Sequence, residues 1–198
     1  MGKVFVDATV SLDGFIADEY DGVGPLFDWY NNGDRAVALG DPTRAPRVTA
    51  ASAAYLEHDV RPAQAIVIGR HLFDITNGWD GVPPAGKHVF VVTHEPPKEW
   101  AYADSAPFTF VTEGVAAAVE LAKDSAGDGD VSVSAGTTGD QAIRAGVVDE
   151  LHCNVVPVLF GSGKRYFGGF DGAPLMLGNP RVIEGDRVLH LIYRIAKP

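Results

Sequence analysis

The chain has 198 residues, 46% of them apolar and 21% charged, with 23 glycines, 13 prolines and one cysteine, a composition that excludes collagen-like, coiled-coil and disordered classes. A chain of this length folded as one unit, residues 1–198, buries about 70% of the surface it exposes when unfolded and needs no disulfide or metal staple. Sixteen basic against 26 acidic residues give a net charge of −10, the wrong sign for gripping a phosphate backbone, so nucleic acid is not an expected partner.

Cys153 stands alone, which excludes a disulfide framework and a CxxC site and fits a reducing cytosol. The histidines at 58, 71, 88, 94, 152 and 190 form no ligand pair at helical spacing, so no metal is expected. No run approaches the roughly 18 apolar residues of a membrane span, and the opening Met1–Asp7 lacks a signal peptide's apolar centre. The expectation is a cytoplasmic protein with no membrane partner.

In chain order, the first element is a strand at Lys3–Val10, where Val4, Val6, Ala8 and Val10 recur at a period of two. Residues 17–34 carry Gly22, Gly24, Pro25 and Gly33 around the aromatic island Phe27-Asp28-Trp29-Tyr30 and read as a loop with at most a short helix. Thr49–Asp59 is Ala-rich and helical in composition, and Ala65–Ile68 is an apolar run suited to a buried strand. Strands follow at His88–Thr93 and Phe108–Val111. The helix predicted at Val115–Lys123 puts Val115, Ala118, Val119 and Ala122 on one face. A strand at Val131–Ser134, a helix at Gly139–Ala145 closed by Gly146, and a strand at Val148–Val156 complete the series. This alternation predicts an α/β fold with a mostly parallel sheet and helices on both faces. Beyond Pro157, the clusters Leu175–Leu177 and Val188–Ile195 are separated by turn residues and predict antiparallel strands at one edge of a mixed sheet. An edge strand ending in Leu189–Tyr193 is an association hazard unless covered, so a homodimer through this tail is expected.

Several catalytic signatures are absent: GxSxG, HExxH, an EF-hand loop and the GxGxxG fingerprint. Gly161-Ser-Gly-Lys164 is no P-loop, because Val158 and Arg165 occupy its required Gly and Ser/Thr positions. Three strand ends offer groups to an anion. At Gly69-Arg70-His71, glycine permits a tight exit from the strand and Arg70 offers a charge-assisted contact. At Ala135-Gly136-Thr137-Thr138, small residues let a ligand approach the backbone, and Thr138 with Gln141 matches a capping box. At Thr93-His94 a hydroxyl and an imidazole close a strand. Each is equally an ordinary turn when taken alone; two such turns on strands of one parallel sheet describe a dinucleotide crevice.

These residues resemble a known family, the reductase domain of bacterial riboflavin biosynthesis, which shares its fold with dihydrofolate reductase. The likeness spans nearly the whole chain. It rests on Val10-Ser-Leu-Asp-Gly-Phe-Ile-Ala17, Ile68-Gly-Arg-His-Leu-Phe73, Ala135-Gly136 before a helix, and Ala145-Gly-Val-Val-Asp-Glu-Leu151 followed by Pro157-Val-Leu-Phe-Gly-Ser-Gly-Lys-Arg-Tyr-Phe167. The resemblance implies a three-layer dihydrofolate reductase-like fold binding NADPH, with phosphates held at Gly69, Arg70, His71, Gly136, Thr137 and Thr138. It implies further that Thr9 and Ile16 border the nicotinamide and that Thr93 and His94 face the adenosine phosphate. The chain departs from the family pattern in having Ala135 where relatives usually have Gly. It also has His94 where many have Arg or Lys, which leaves NADH as an alternative cofactor. The nearest counterpart to the substrate-pairing acid of dihydrofolate reductases is Asp28.

Hydride transfer needs no protein nucleophile, only two flat rings held face to face and shielded from water. Phe27, Trp29 and Tyr30 are candidate walls of a substrate pocket, with core packing as the alternative. Asp28 and Asp13 are candidate proton donors, and Asp13 reads equally as a turn residue. The expectation is an NADPH-dependent reductase of a small pterin-like, pyrimidine-like or carbonyl compound. The alternatives are a noncatalytic nucleotide-binding or sensor protein that keeps the fold, and a hydrolase using the same pocket without a redox cofactor.

Overall fold

The computed structural model describes residues 2–61, 63–172 and 174–196. The apolar alternation at the start becomes β1 (Val4–Ser11), and a turn at Gly14 leads to the short β2 (Phe15–Ala17). A 3-10 segment spans Gly24–Asn31, followed by the two-residue strands β3 (Arg35–Ala36) and β4 (Arg47–Val48) and by α1 (Ala50–Tyr55). Next come β5 (Ala63–Gly69), α2 (Arg70–Thr76), β6 (His88–Val92), β7 (Phe108–Val111) and α3 (Val115–Ala126). The chain continues through β8 (Asp130–Ser134), α4 (Thr137–Arg144), β9 (Glu150–Val156) and β10 (Lys164–Arg165), and ends with β11 (Arg181–Gly185) and β12 (Val188–Arg194).

One eight-stranded sheet has the order β11-β12-β9-β1-β8-β5-β6-β7. The strands from β9 to β7 run parallel, while β12 is antiparallel to both β9 and β11. This is the mixed sheet with an antiparallel C-terminal edge that the pattern predicts. Period-two alternation sorts side chains between its faces. Val4, Val6 and Val10 of β1 join Ala65, Val67, Val131 and Val133 beneath α3 and α4, where Val115, Ala118, Val119 and Ala122 are buried as predicted. On the opposite face α1 packs over β9 and β12 with Val156 and Ile192, and α2 places Phe73 on Ile66, Ile68, Val89 and Val91. Three layers result.

The structure corrects several boundaries. α1 stops at Tyr55, and the chain continues to Val60 in a wider π turn. The first of the two successive strands expected at His88–Thr93 and Phe108–Val111 ends one residue earlier, at Val92, and a loop joins it to the second. α4 begins at Thr137 with Gly136 at its N-cap and no side-chain cap bond, so the Thr138–Gln141 capping box does not form. Leu175–Leu177 is not a strand. Pro174 and Pro180 flank that segment without amide donors, and the ladder resumes only at Arg181. β12 is therefore an interior strand and β11 is the edge. The tail still exposes apolar side chains, with Met176 83%, Val182 56% and Leu189 42% accessible. Among the described residues, no helix is long and apolar enough to cross a membrane.

One residue of an otherwise irregular stretch binds this framework together. Tyr166 is buried, its amide donates to the Gly14 carbonyl at 2.9 Å, and its carbonyl accepts from the Gly136 amide at 2.7 Å. Its hydroxyl lies 3.1 Å from the carbonyl oxygens of both Val6 and His152 and shares its single proton between them. Removing the hydroxyl leaves buried acceptors short of a donor, at a cost of about 1–3 kcal/mol. Tyr166→Phe is therefore expected to lower stability by that amount in chemical denaturation, with the fold retained by circular dichroism.

Candidate functional site

The C-terminal ends of β1, β8, β5 and β6 lie side by side, because these strands are consecutive neighbours. After β5 the chain turns at Gly69 into α2, which leads toward β6; after β8 it turns at Gly136 into α4, which leads to β9 on the far side of β1. Connections that leave in opposite directions from adjacent strands open a crevice between them. The two turns touch: a Cβ on Gly69 would stand 2.6 Å from Thr138 Oγ1. Gly136 has φ +78 and ψ −149, a region open in practice only to glycine. A Cβ there would find nothing closer than the Arg165 carbonyl oxygen and Ile16 Cδ1, both at 3.7 Å. That open ground above the backbone is what a ligand approaching the peptide needs.

The other candidate residues extend the row. Arg70 Nη1 donates to the Glu95 carbonyl at 2.7 Å, and the same oxygen accepts from Thr93 Oγ1 at 2.8 Å, so the ends of β5 and β6 are tied at one point. Arg70 Nε also binds Asp74 at 2.7 Å, which holds the half-exposed guanidinium in place. His94 is exposed beside this knot, as is Thr137 at the head of α4. Thr9 is buried on β1. His71 Nε2 lies 2.8 Å from Asp21, in the turn after β2.

The two acids singled out from the sequence occupy different settings. The carboxylate of Asp13 is fully engaged, accepting from Ser11 Oγ at 2.5 Å and from the amides of Phe160 and Gly161. The Ser11 hydrogen bond, with those amides, holds its pKa below the ordinary carboxylate range. It clamps one loop to another and is no reservoir of protons at neutral pH, in line with its reading as a turn residue. Asp28 is exposed on the 3-10 segment. Trp29 is 1% accessible and packs edge-on against His190 at 5.0 Å, which makes it core. Phe27 is exposed and Tyr30 half-buried, with ring centroids 5.3 Å apart.

The sequence reading missed a polar seam on the α1 face of β1, β9 and β12. Asp7 is paired in register with His152 of β9 and Ser134 of β8. Its Oδ1 accepts from Asn154 Nδ2 at 2.9 Å and from the Tyr55 hydroxyl at 3.3 Å. Asn154 Oδ1 lies 2.7 Å from His190 Nδ1, and His190 Nε2 lies 3.0 Å from Ser52 Oγ. With Asn154's nitrogen committed to Asp7, its oxygen must accept, so His190 carries its proton on Nδ1 and accepts from Ser52. Burial holds the His190 pKa down at about 4, and it is neutral at pH 7. On the other branch, Tyr55 lies 3.4 Å from His152 Nδ1, and His152 Nε2 lies 3.1 Å from Glu150. That hydrogen bond, aided by Lys3 at 2.8 Å, lowers Glu150 to about 2. Asp7 is deeply set, and burial raises its pKa. Yet it is part-open to solvent, flanked along the strand by fully covered Phe5 and Thr9. Its sequence signal was polar residues at one parity of strands that a two-sided parallel sheet would cover, where each must find a partner.

The sequence profile described as the RibD C-terminal domain matches residues 2–173. No curated protein matches the chain. Among solved structures, a putative riboflavin biosynthesis protein from Shewanella sp. PV-4 is 21% identical with a TM-score of 0.63, covering 99% of each chain. A diaminohydroxyphosphoribosylaminopyrimidine deaminase/5-amino-6-(5-phosphoribosylamino)uracil reductase from Thermotoga maritima is 15% identical with a TM-score of 0.62. The match covers 98% of this chain and 57% of that one. A dihydrofolate reductase from Enterococcus faecalis, complexed with NADP(H), is 14% identical with a TM-score of 0.55, covering 98% and 96%. At these identities the likeness shows the dihydrofolate reductase-like fold.

Two outcomes follow from this geometry. Gly136→Ala forces a side chain into a glycine-only conformation and should cost about 1–3 kcal/mol in denaturant titration. His190 has a folded-state pKa of about 4, below the 6.5 of an unconstrained histidine, so the unfolded chain binds the proton first. Its contribution is present above pH 6.5 and is lost as pH falls from 6.5 toward 4. His190→Gln should flatten the melting temperature against pH in that window; the difference from the parent separates it from Asp7, whose raised pKa acts with opposite sign.

Proposed function

The chain belongs to the RibD C-terminal domain family, and from that membership we propose that it is a reductase that binds NADPH, with NADH as the alternative, and reduces a small heterocyclic or carbonyl compound. The observation that carries this reading is the contact between the Gly69 and Gly136–Thr138 turns at the ends of adjacent strands. Two close backbone turns beside a clamped arginine suit a diphosphate: amides donate to its oxygens while the guanidinium supplies local positive charge in a protein of net charge −10.

The residues present fit such a cofactor. Gly136 leaves its peptide open to approach, and Ile16 stands next to it as an apolar neighbour for a flat ring. In this reading Gly69, Arg70, Gly136, Thr137 and Thr138 hold the phosphates, Thr93 and His94 meet the adenosine end, and Thr9 and Ile16 border the ring. When bound, the reduced nicotinamide supplies a hydride, and a proton taken from solvent completes the reduction. The chain's own part is to orient the two rings and exclude water around them. Asp13 contributes by fixing the loop at 160–161 against the turn after β1.

Fluorescence titration with NADPH and NADH tests the reading, followed by nucleotide oxidation with pterins, pyrimidines and quinones. Saturable binding with turnover is expected; saturable binding by neither nucleotide overturns it. Arg70→Ala should weaken NADPH at least 10-fold, since a charge-assisted contact to phosphate is lost. It should scarcely change the melting temperature, because the Arg70–Asp74 pair is half-exposed.

A further inference from the structure

Asp140 is a buried titratable group that neither the fold nor the reductase reading employs. It lies on α4, one turn in from the Gly136 N-cap, and its amide donates to the Gly136 carbonyl at 2.9 Å. The residue is 1% accessible. One carboxylate oxygen, Oδ2, accepts from the Gly169 amide at 2.6 Å and also from the Gly168 amide. The other, Oδ1, is buried without a hydrogen-bond partner among the described residues. An ionised carboxylate calls for donors on both oxygens, so the charge of this one is only half compensated.

The charged groups around Asp140 do not repair this. Burial raises its pKa, the amides of Gly169 and Gly168 draw it down, and Arg144 on the same helix does so less. The Arg144 guanidinium is itself bound to Asp171 at 2.8 Å, and Asp171 pushes the Asp140 pKa up. The other elements packed on α4 present aliphatic groups, with Val6 of β1, Val67 of β5, Val133 of β8 and Val119 of α3 in the shared core. Above Asp140, the free amides of Thr137 to Gly139 head the helix, within about 5 Å along its axis. Charges at that spacing interact strongly where water is excluded. A second link is mechanical: a Cβ on Gly168 would stand 3.1 Å from the Thr137 nitrogen and 3.3 Å from its hydroxyl. The glycine whose amide Asp140 holds therefore leans on the head of α4. A polyanion docked on those amides adds negative charge beside a half-compensated carboxylate and favours its neutral form.

We propose that Asp140 is a proton-linked switch beneath the phosphate turn: it takes up a proton from solvent when a diphosphate settles on the head of α4, and nucleotide binding tightens as pH falls. A proton on Oδ1 removes the charge and leaves Oδ2 to hold the amides of Gly168 and Gly169. Where the bound protein holds more protons than the free one, the dissociation constant falls with pH, and one proton per site changes it at most about 10-fold per pH unit. The reductase reading enters only in naming the anion; the linkage stands on the position and burial of Asp140.

Calorimetric titration in two buffers of different ionisation enthalpy, between roughly pH 8 and pH 5, counts the protons taken up on binding. The probe is NADH, which lacks a titrating 2′-phosphate, or NADPH if that alone binds. Asp140→Asn keeps an oxygen for the amides of Gly168 and Gly169 but cannot ionise. The parent is expected to take up more protons than this variant and to show the steeper fall of dissociation constant with pH. His71 and His94, the histidines beside the crevice, contribute to both proteins and cancel in the difference. Asp171→Asn, at an exposed position, removes a negative neighbour and frees Arg144, so its uptake maximum should move to lower pH. Equal uptake by the parent and Asp140→Asn, or an unmoved profile in Asp171→Asn, overturns the proposal; should Asp140→Asn fail to fold, the Asp171→Asn profile decides alone. If neither nucleotide binds, the reductase reading falls, and inorganic pyrophosphate titrated in the same way decides the linkage. Uptake that depends on Asp140 then sustains it, and uptake independent of Asp140, or no binding, overturns it.

Discussion

Three hydrogen-bonding groups of Tyr166 govern how the two working turns meet the sheet. The amide and carbonyl of this one residue join the Gly14 turn to the Gly136 turn, and its hydroxyl is seated between the carbonyls of Val6 and His152. Each bond contributes about 1 kcal/mol net, a modest sum against a total stability of about 5–15 kcal/mol. Their importance is geometric. Residues 157–163 and 166–172 contain no regular element, and these contacts help hold that stretch across the ends of the strands. Asp13 serves the same end from the other side, binding the amides of Phe160 and Gly161. The path from β9 to β11 is thus tied down at several points, the β10–β2 pairing and the Gly169–Asp140 hydrogen bond among them.

The two faces of the sheet are built on different principles. Beneath α3 and α4 the contacts are almost wholly aliphatic, with Val6, Val67, Val133 and Ala118 essentially inaccessible. On the α1 face, one strip carries Asp7, His152, Asn154, His190 and Ser52 among Trp29, Tyr55 and Phe5. Burying such groups costs free energy that aliphatic side chains in the same places would not. A satisfied network fixes each side chain's orientation more sharply than dispersion contacts do. Part of that cost falls on Asp7, whose pKa burial raises.

Much of this was legible from residue order. The two-residue period of β1, the apolar face of α3, the alternation of strand and helix, and the glycine turns at 69 and 136 all depend on neighbours within a few positions, and short-range patterns write themselves into sequence. The motif Ser11-Leu-Asp-Gly14, taken with the segment ending at Tyr166-Phe167, was enough to indicate the family. Errors arose where a distant partner decides the outcome. Leu175–Leu177 has the composition of a strand, but Pro174 and Pro180 deny it a ladder, and β11 takes the edge. Asp13 and Asp28 are alike on paper; one is consumed by amides 147 and 148 residues away, and the other finds no enclosing wall.

What the sequence by itself determined is the class of fold, the order of its elements and the turns able to approach an anion, because dihedral preference and hydrophobic period are local properties of the chain. What only the tertiary structure decided is which polar groups face one another. Asp7, Tyr55, Asn154, His152 and His190 come from four elements spread over 184 residues, and their meeting depends on strand order and parallel register. No short window encodes either, since both follow from how the whole chain closes its core.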